Sequence, residues 1–336
     1  MEYEIELKLL TNEEAGEVIE TKLLPLLNAS VTQQTLVLTN HYFDTPDRRL
    51  RQHDIGLRIR GNNQKYEQTL KTAGKSLGGL HQRPEYNVPL DESKKQSVTI
   101  PDLHLFPLSA WPKTLDVEDL QARLDTLFTT HFQRKVYLLE FSQGDIVELV
   151  WDLGEVTSDG KSLPICEVEL ELKKGDTKVL FDIAETIVRL MPTSIGTDSK
   201  AARGYRLLDG SPDKTLRQFP QPIKNTQTTA EEFSQLLSTL LQGFQTQSVE
   251  IRRQYSEELA AHIKHILDEL TTCLVKFKEY FPSAEIETIL AKVDNLSRNW
   301  SLVLKQNNKN EAHRLLTQPQ TTQLQLDIVQ CLVEQS

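Results

Sequence analysis

Glu4 and Glu6, in the run Glu4-Ile5-Glu6-Leu7-Lys8, and Glu167 and Glu169, in the run Glu167-Val168-Glu169-Leu170-Glu171-Leu172-Lys173, are the residues best spaced to do chemistry. Both runs alternate charged and apolar residues, the period of a β-strand with one charged face and one apolar face. Carboxylates two residues apart on one face repel each other unless a cation lies between them. An alternating strand usually turns its charged face to water, and either run alone fits that plain role. Two acid-rich runs at opposite ends of one stretch of chain point instead to a shared cation.

Cationic side chains recur with the same period between the two runs. Arg58 and Arg60 flank Ile59, Lys71 shares a face with Thr69, Arg83 shares one with Glu85, and Arg134 lies in the strand before Val136. Each taken singly is an ordinary solvated residue. If the strands close into a barrel around these faces, the enclosed charge cannot stay dry and unpaired, so the lumen must hold water, metal ions and a highly charged ligand. Guanidinium forks and ammonium groups suit phosphate oxygens. Clustered carboxylates suit Mg²⁺ or Mn²⁺, hard cations that prefer oxygen ligands and bridge protein to phosphate. Both clusters in one cavity point to metal-dependent phosphoryl chemistry.

The elements that must position these groups are short and well punctuated. Strands are predicted over 35–43, 56–60, 66–71, 83–90, 132–140, 145–152 and 163–173, with turns at Gly61-Asn62-Asn63, Gly78-Gly79, Ser142-Gln143-Gly144-Asp145 and Ser158-Asp159-Gly160. Thr11-Asn12-Glu13-Glu14 has the spacing of a capping box ahead of a short helix carrying Val18, Ile19, Leu23 and Leu24. Helical rhythms are read over 117–128, in Leu120, Leu124 and Leu127, and over 179–190, in Leu180, Ile183, Ile187 and Val188. Short strands with few long helices favour an antiparallel barrel or sandwich over a parallel α/β sheet.

After Leu208 the composition changes. Residues 209–228, rich in Pro, Gln, Thr and Lys, read as a linker after a first domain of residues 1–208. A capping box from Thr229 to Glu232 opens a helix with Phe233, Leu236, Leu237, Leu240, Leu241 and Phe244 on one face. Further helices are predicted over 249–280, 284–306, 310–316 and 321–334, making 229–336 an all-helical unit.

A formal net charge of −10 argues against nucleic-acid or anionic-membrane binding driven by overall charge and leaves room for a locally basic pocket. Cys166, Cys273 and Cys331 fit neither a disulfide framework nor a zinc spacing. The first residues enter a strand pattern without a basic and then apolar leader, and no apolar run reaches the length of a membrane span, so the expectation is a soluble protein of a reducing cytoplasm.

The motifs Glu4-x-Glu6-x-Lys8, Tyr42-Phe43-Asp44-Thr45-Pro46, Leu57-Arg58-Ile59-Arg60, Thr69-Leu70-Lys71, Arg83-Pro84-Glu85, Asp152-Leu153-Gly154, Glu167-Val168-Glu169 and Ser199-Lys200 follow one another in order between Met1 and about Leu207. Together they resemble the CYTH domain of the triphosphate tunnel metalloenzymes. The resemblance implies an α+β fold: an eight-stranded antiparallel barrel forming a tunnel, with flanking helices, followed here by the all-α unit. It implies that Lys8, Arg58, Arg60, Lys71, Arg134 and Lys200, with Arg83 of the same kind, hold phosphate oxygens. Glu4, Glu6, Asp152, Glu167 and Glu169 then bind the divalent cations, Mg²⁺ or Mn²⁺ in two ions with substrate. Glu171 shares that face and either assists or is solvated near the mouth. Asp44 and Thr45 fit a turn-shaping role as well as a functional one.

The implied reaction is direct hydrolysis of a phosphoric anhydride, with Glu4, Glu6, Lys8, Arg58, Arg60, Lys71, Arg134 and Lys200 as the catalytic set. No Ser/His/Asp arrangement or catalytic cysteine suggests a covalent intermediate. A tunnel domain followed by helices resembles the bacterial inorganic triphosphatases with a C-terminal CHAD-like region, which favours tripolyphosphate, cleaved to pyrophosphate and phosphate. The helical region is short for such a domain and carries only scattered basic residues such as Arg252, Arg253, Lys276 and Lys278. A packing role, self-association or partner binding is therefore as good a reading of it as polyphosphate binding. The alternatives are a class IV adenylate cyclase, a nucleoside or thiamine triphosphatase, and a non-catalytic polyphosphate binder.

Overall fold

The computed structural model describes residues 2–62, 65–90, 100–209, 229–276, 278 and 283–334. Strand β1 (Glu2–Leu10) leads into a short helix α1 (Ala15–Val18), which widens through Ile19–Leu23 and tightens through Leu24–Leu26. The chain continues through β2 (Ala29–Asp44), α2 (Arg49–Gln52), β3 (Gly56–Asn62), β4 (Lys65–Lys71), β5 (Lys75–Leu77) and β6 (Leu80–Leu90). After α3 (Val117–Arg123) come three long strands, β7 (Asp125–Phe141), β8 (Ile146–Ser158) and β9 (Lys161–Lys174), then α4 (Lys178–Leu190), β10 (Ser194–Ile195) and α5 (Lys200–Asp209). Five helices follow: α6 (Ala230–Arg253), α7 (Glu257–Lys276), α8 (Ser283–Gln306), α9 (Lys309–Thr317) and α10 (Pro319–Glu334).

The ten-stranded sheet runs in the order β10-β1-β9-β8-β7-β2-β3-β4-β6-β5, and β6 also pairs with β1. That pairing closes all but the appended β5 and β10 into an eight-stranded antiparallel barrel. The expected strands lie within observed ones, except that the one read from Asp145 begins at Ile146.

Closure decides where the charged faces go. Leu7 and Leu9 of β1 point outward with 0% exposure, yet the alternating Glu4, Glu6 and Lys8 are also buried, at 7%, 4% and 2%. They face the lumen, and the plain role of a solvated strand face is excluded. The barrel is inverted relative to a soluble sheet, with charge inside and hydrocarbon outside.

The outer hydrocarbon must be covered. Leu7, Leu9, Leu149, Val168 and Leu170 pack against Leu180, Ile183 and Ile187 of α4 in an apolar cluster that continues through the C-terminal helices. On the opposite flank Leu57, Ile59 and Leu70 are covered by Leu103, Phe106, Trp111 and Leu120. One end of the interior is apolar: Leu38, Phe128, Phe132, Val156 and Ile165 meet Tyr205, and so α5 lies across that end. Gly204 permits the approach, since a β-carbon there would stand 2.1 Å from the Phe128 ring.

Three local expectations are corrected. The helix predicted over 117–128 stops at Arg123, because Leu124 is extended and the β-branched Thr126, Thr129 and Thr130 carry the chain into β7. The capping box at residues 11–14 does not form: Glu14 caps α1 without a side-chain bond, while Thr11 Oγ1 lies 3.6 Å from Cys166 Sγ. The helix predicted from 249 is two helices, since α6 runs on to Arg253 and Ser256 Oγ accepts from the Leu259 N–H at 3.1 Å to start α7. The box at Thr229 does form, with Thr229 Oγ1 accepting from Glu232 N–H at 3.2 Å and Glu232 Oε2 accepting from Thr229 N–H at 2.9 Å. Of the segment read as a linker, Asp209 ends α5 and residues 210–228 lie outside the described residues.

The C-terminal helices enclose a hydrocarbon interior around Trp300, whose Nε1–H donates to Ala260 O at 2.8 Å. They also dock on the barrel, where Thr322 Oγ1 donates to Thr193 O at 2.6 Å. No helix among the described residues is long and apolar enough to cross a membrane.

Candidate active site

Strand register assembles the lumen. Asp152 sits opposite both Arg134 and Glu167, and Lys8 sits opposite Glu169. Carboxylate oxygens of Asp152, Glu167 and Glu169 consequently lie within 4.8 Å of one another. Arg134 donates from Nε and Nη2 to Asp152 at 2.8 and 2.7 Å and from Nη2 to Glu169 at 2.9 Å. The Lys8 ammonium is 2.7 Å from Glu169. Lys200 comes down from α5 to within 2.6 Å of Asp152 and 3.0 Å of Glu169, and it also contacts Glu167. Burial by itself would raise the acids, but Lys200, Lys8 and Arg134 hold Glu169 well below the ordinary carboxylate range, and Arg134 and Lys200 hold Asp152 down. Asp152 and Glu169 stay ionised.

The second half of the lumen lies around β1, β4 and β6. Glu4 sits opposite Arg83, and Lys71 opposite Glu85. The Lys71 ammonium donates to both Glu4 oxygens, at 2.6 and 2.7 Å, and stands 3.1 Å from Glu85. Burial opposes the charge on Glu85, yet Lys71 and Arg58 pull it down to about 2. Glu6 is held more loosely, 3.5 Å from Lys8 and 3.7 Å from Arg83.

Arg60 is the exception among the cations. Its Nε donates to Asn40 Oδ1 at 2.8 Å, and no carboxylate among the described residues lies within ion-pair distance. Burial and the adjacent Arg58 and Arg134 push it down to about 9. A guanidinium keeps its proton, so the crowding is a standing cost that an incoming anion removes. Tyr42 turns its phenol to the same place, where Arg58, Lys200 and Arg60 outweigh burial and lower it. The lumen encloses about 210 Å³ among these side chains.

All the cations predicted for phosphate, Lys8, Arg58, Arg60, Lys71, Arg83, Arg134 and Lys200, line this cavity. Of the acids predicted for metal, Asp152, Glu167 and Glu169 come together, whereas Glu4 and Glu6 stand apart from them on β1. Asp44 shapes its turn: it accepts from the Thr45, Leu50 and Arg51 N–H groups at 2.7, 2.8 and 3.1 Å and from the Tyr205 hydroxyl at 2.7 Å. Four acids of the lumen were given no firm role from sequence: Glu67, Glu85, Glu148 and Glu171. Glu148 was readable as the residue two alternations before Asp152 on the same strand face. Arg203, which contacts Glu167 from α5, was readable as Lys200 plus one helical turn.

The triad fits a divalent cation. Its donors are hard carboxylate oxygens with the mutual spacing a single ion requires, and the Lys200 ammonium already places positive charge among them. A family model, CYTH domain, matches residues 2–205.

The chain belongs to the CYTH family.

An inorganic triphosphatase of Haemophilus influenzae is 40% identical to it over 208 residues, 61% of this chain and 54% of that protein. The match thus spans about half the length of that relative. Among solved structures, a putative adenylyl cyclase from Hippeastrum, described by its dominant triphosphatase activity, shares 23% identity over 60% of this chain and 95% of its own, with a TM-score of 0.44. A putative adenylate cyclase from Bacillus halodurans shares 22% identity over 60% of this chain and 98% of its own, with a TM-score of 0.37. In this chain the CYTH barrel ends at α5, which brings Lys200 and Arg203 to the triad.

Proposed function

We propose that the barrel is a metal-dependent inorganic triphosphatase that cleaves tripolyphosphate to pyrophosphate and phosphate. The observation that carries this reading is a carboxylate triad and an unpaired guanidinium, Arg60, enclosed in one lumen. The name of the Haemophilus relative supports the inorganic substrate.

In this reading Arg58, Arg60, Lys71 and Arg134 bind phosphate oxygens, with Arg83 beside them. Lys8 and Lys200 exchange carboxylate for phosphate as the anion enters. Asp152, Glu167 and Glu169 hold Mg²⁺ or Mn²⁺, and the loosely paired Glu6, with Glu4, serves a second ion. Bound metal supplies charge neutralisation on the phosphates and a water of lowered pKa. The cationic wall stabilises charge on the departing pyrophosphate. Acids buried beside a phosphate site oppose a purely anion-binding role, since they only weaken anion binding unless a cation joins them.

The C-terminal helices, packed on the barrel through their apolar cluster, act first as a brace in this proposal. The free thiols Cys166, Cys273 and Cys331 fit a reducing cytoplasm. A substrate panel tests the function: with Mg²⁺ or Mn²⁺, phosphate release is expected to be fastest from tripolyphosphate, ahead of ATP, thiamine triphosphate and longer polyphosphates. Faster turnover of an organic triphosphate, or no release from tripolyphosphate, would sink it.

A further inference from the structure

Outside the lumen, a second group of arginines meets where the barrel joins the C-terminal helices. Arg203 and Arg206 of α5 and Arg252 and Arg253 of α6 line a cavity of about 350 Å³ with Thr197 and Asp198. Carboxylates engage three of the four. Arg203 contacts Glu167, Arg206 lies 2.5 Å from Asp198, and Arg253 lies 3.5 Å from Glu250. Arg252 has none among the described residues: it donates from Nε to Ser248 O at 3.1 Å and from Nη1 to Ser194 Oγ at 3.0 Å, both neutral acceptors. Burial with nothing to offset it lowers the Arg252 guanidinium. The Nε–H groups of Arg203 and Arg206 are buried without an acceptor among the described residues.

A mostly buried guanidinium without a counter-ion, and two buried N–H donors without acceptors, are costly in a chain whose net charge is −10. An anion held in this cavity supplies the counter-charge that Arg252 lacks. Convergent guanidinium forks select tetrahedral oxyanions of high charge over chloride. The geometry points to a second phosphate-class site at this seam, taking inorganic phosphate or pyrophosphate and separate from the tunnel. The two helices contribute jointly, so the anion ties the C-terminal helices to the barrel, and Arg203 connects the seam to a member of the carboxylate triad.

Calorimetric titration of the full chain with pyrophosphate in EDTA tests this, with inorganic phosphate and sulfate as comparison anions. Two classes of site are expected. Arg252→Gln and, separately, the half-exposed Arg253→Gln weaken the seam class by about tenfold or more each, the size of a lost charge-assisted bond, and leave the tunnel class in place. Arg60→Gln does the reverse. Arg253 makes only one long ion pair, so its variant folds even where Arg252→Gln does not. A single class of site that Arg60→Gln removes, or binding unmoved by both Arg253→Gln and Arg252→Gln, overturns the proposal. Sulfate binding as tightly as pyrophosphate also overturns it. Loss of both classes to Arg60→Gln means that the only site is the tunnel. Failure of the tunnel reading looks different: Arg60→Gln then changes nothing while the seam variants still act.

Discussion

The barrel and the C-terminal helices enclose interiors of opposite kinds. Inside the helices are Trp300, Phe233, Phe244 and Ile263, hydrocarbon on hydrocarbon. Inside the barrel are Glu6, Lys8, Asp152 and Glu169, buried as well but paired charge on charge, with the part-buried Arg134 between Asp152 and Glu169. Hydrocarbon burial stabilises a fold directly. Buried ion pairs recover little or none of their desolvation, so a fold that collects them gains something other than stability. The contrast fits the proposed division, with binding in the barrel and bracing in the helices, and that division breaks if the two interiors respond alike to substitution.

The largest expected effect falls on turnover. Glu6→Gln removes a loosely paired lumen acid and should lower tripolyphosphate hydrolysis by about a hundredfold or more, the scale of losing a group that acts on the developing charge. Its circular dichroism and melting temperature should stay close to native. Unchanged turnover would remove Glu6 from the reaction. The mirror image is Trp300→Ala, which opens a cavity among the helices and should cost about 3–5 kcal/mol in denaturant unfolding while leaving tripolyphosphate affinity in the folded chain nearly intact.

Arg60→Gln sharpens the same contrast. It should weaken tripolyphosphate binding by about tenfold with a melting temperature unchanged or raised, because Arg60 stands against Arg58 and Arg134 with Asn40 as its one hydrogen-bond partner among the described residues. A clear fall in melting temperature would mean that the lumen charges are structural after all. The smallest effect concerns acid stability. Glu85 is held at about 2 in the folded chain against an ordinary 4.5, so its ionised form stabilises the fold above about pH 4.5, and that contribution is lost as pH falls towards 2. Glu85→Gln should flatten the dependence of melting temperature on pH across that window, and an unchanged slope would contradict the pairing with Lys71 and Arg58.

Much of this was legible in the sequence because strands alternate with period two. Glu4, Glu6 and Lys8 must share a face, as must Glu167 and Glu169, wherever the strand lies. Whether that face is wet or enclosed depends on closure between β1 and β6, a pairing across more than 70 residues that no local pattern carries. Glu85 shares the face of Arg83 in sequence, but its pairing is not legible there, since only register sets it opposite Lys71. Arg203 and Lys200 reach Glu167 because α5 lies across the end of the barrel, and Gly204, the residue that lets it do so, looks unremarkable in sequence. Leu124 and Leu127 kept a helical rhythm that the tertiary pairing of β2 with β7 overrode.

The most direct test is a crystal structure of the Glu6→Gln chain grown with tripolyphosphate and Mg²⁺. The triphosphate is expected inside the barrel, with its oxygens on Arg58, Arg60, Lys71 and Arg134 and a cation among Asp152, Glu167 and Glu169. An empty lumen beside an anion bound only at the outer surface would contradict it.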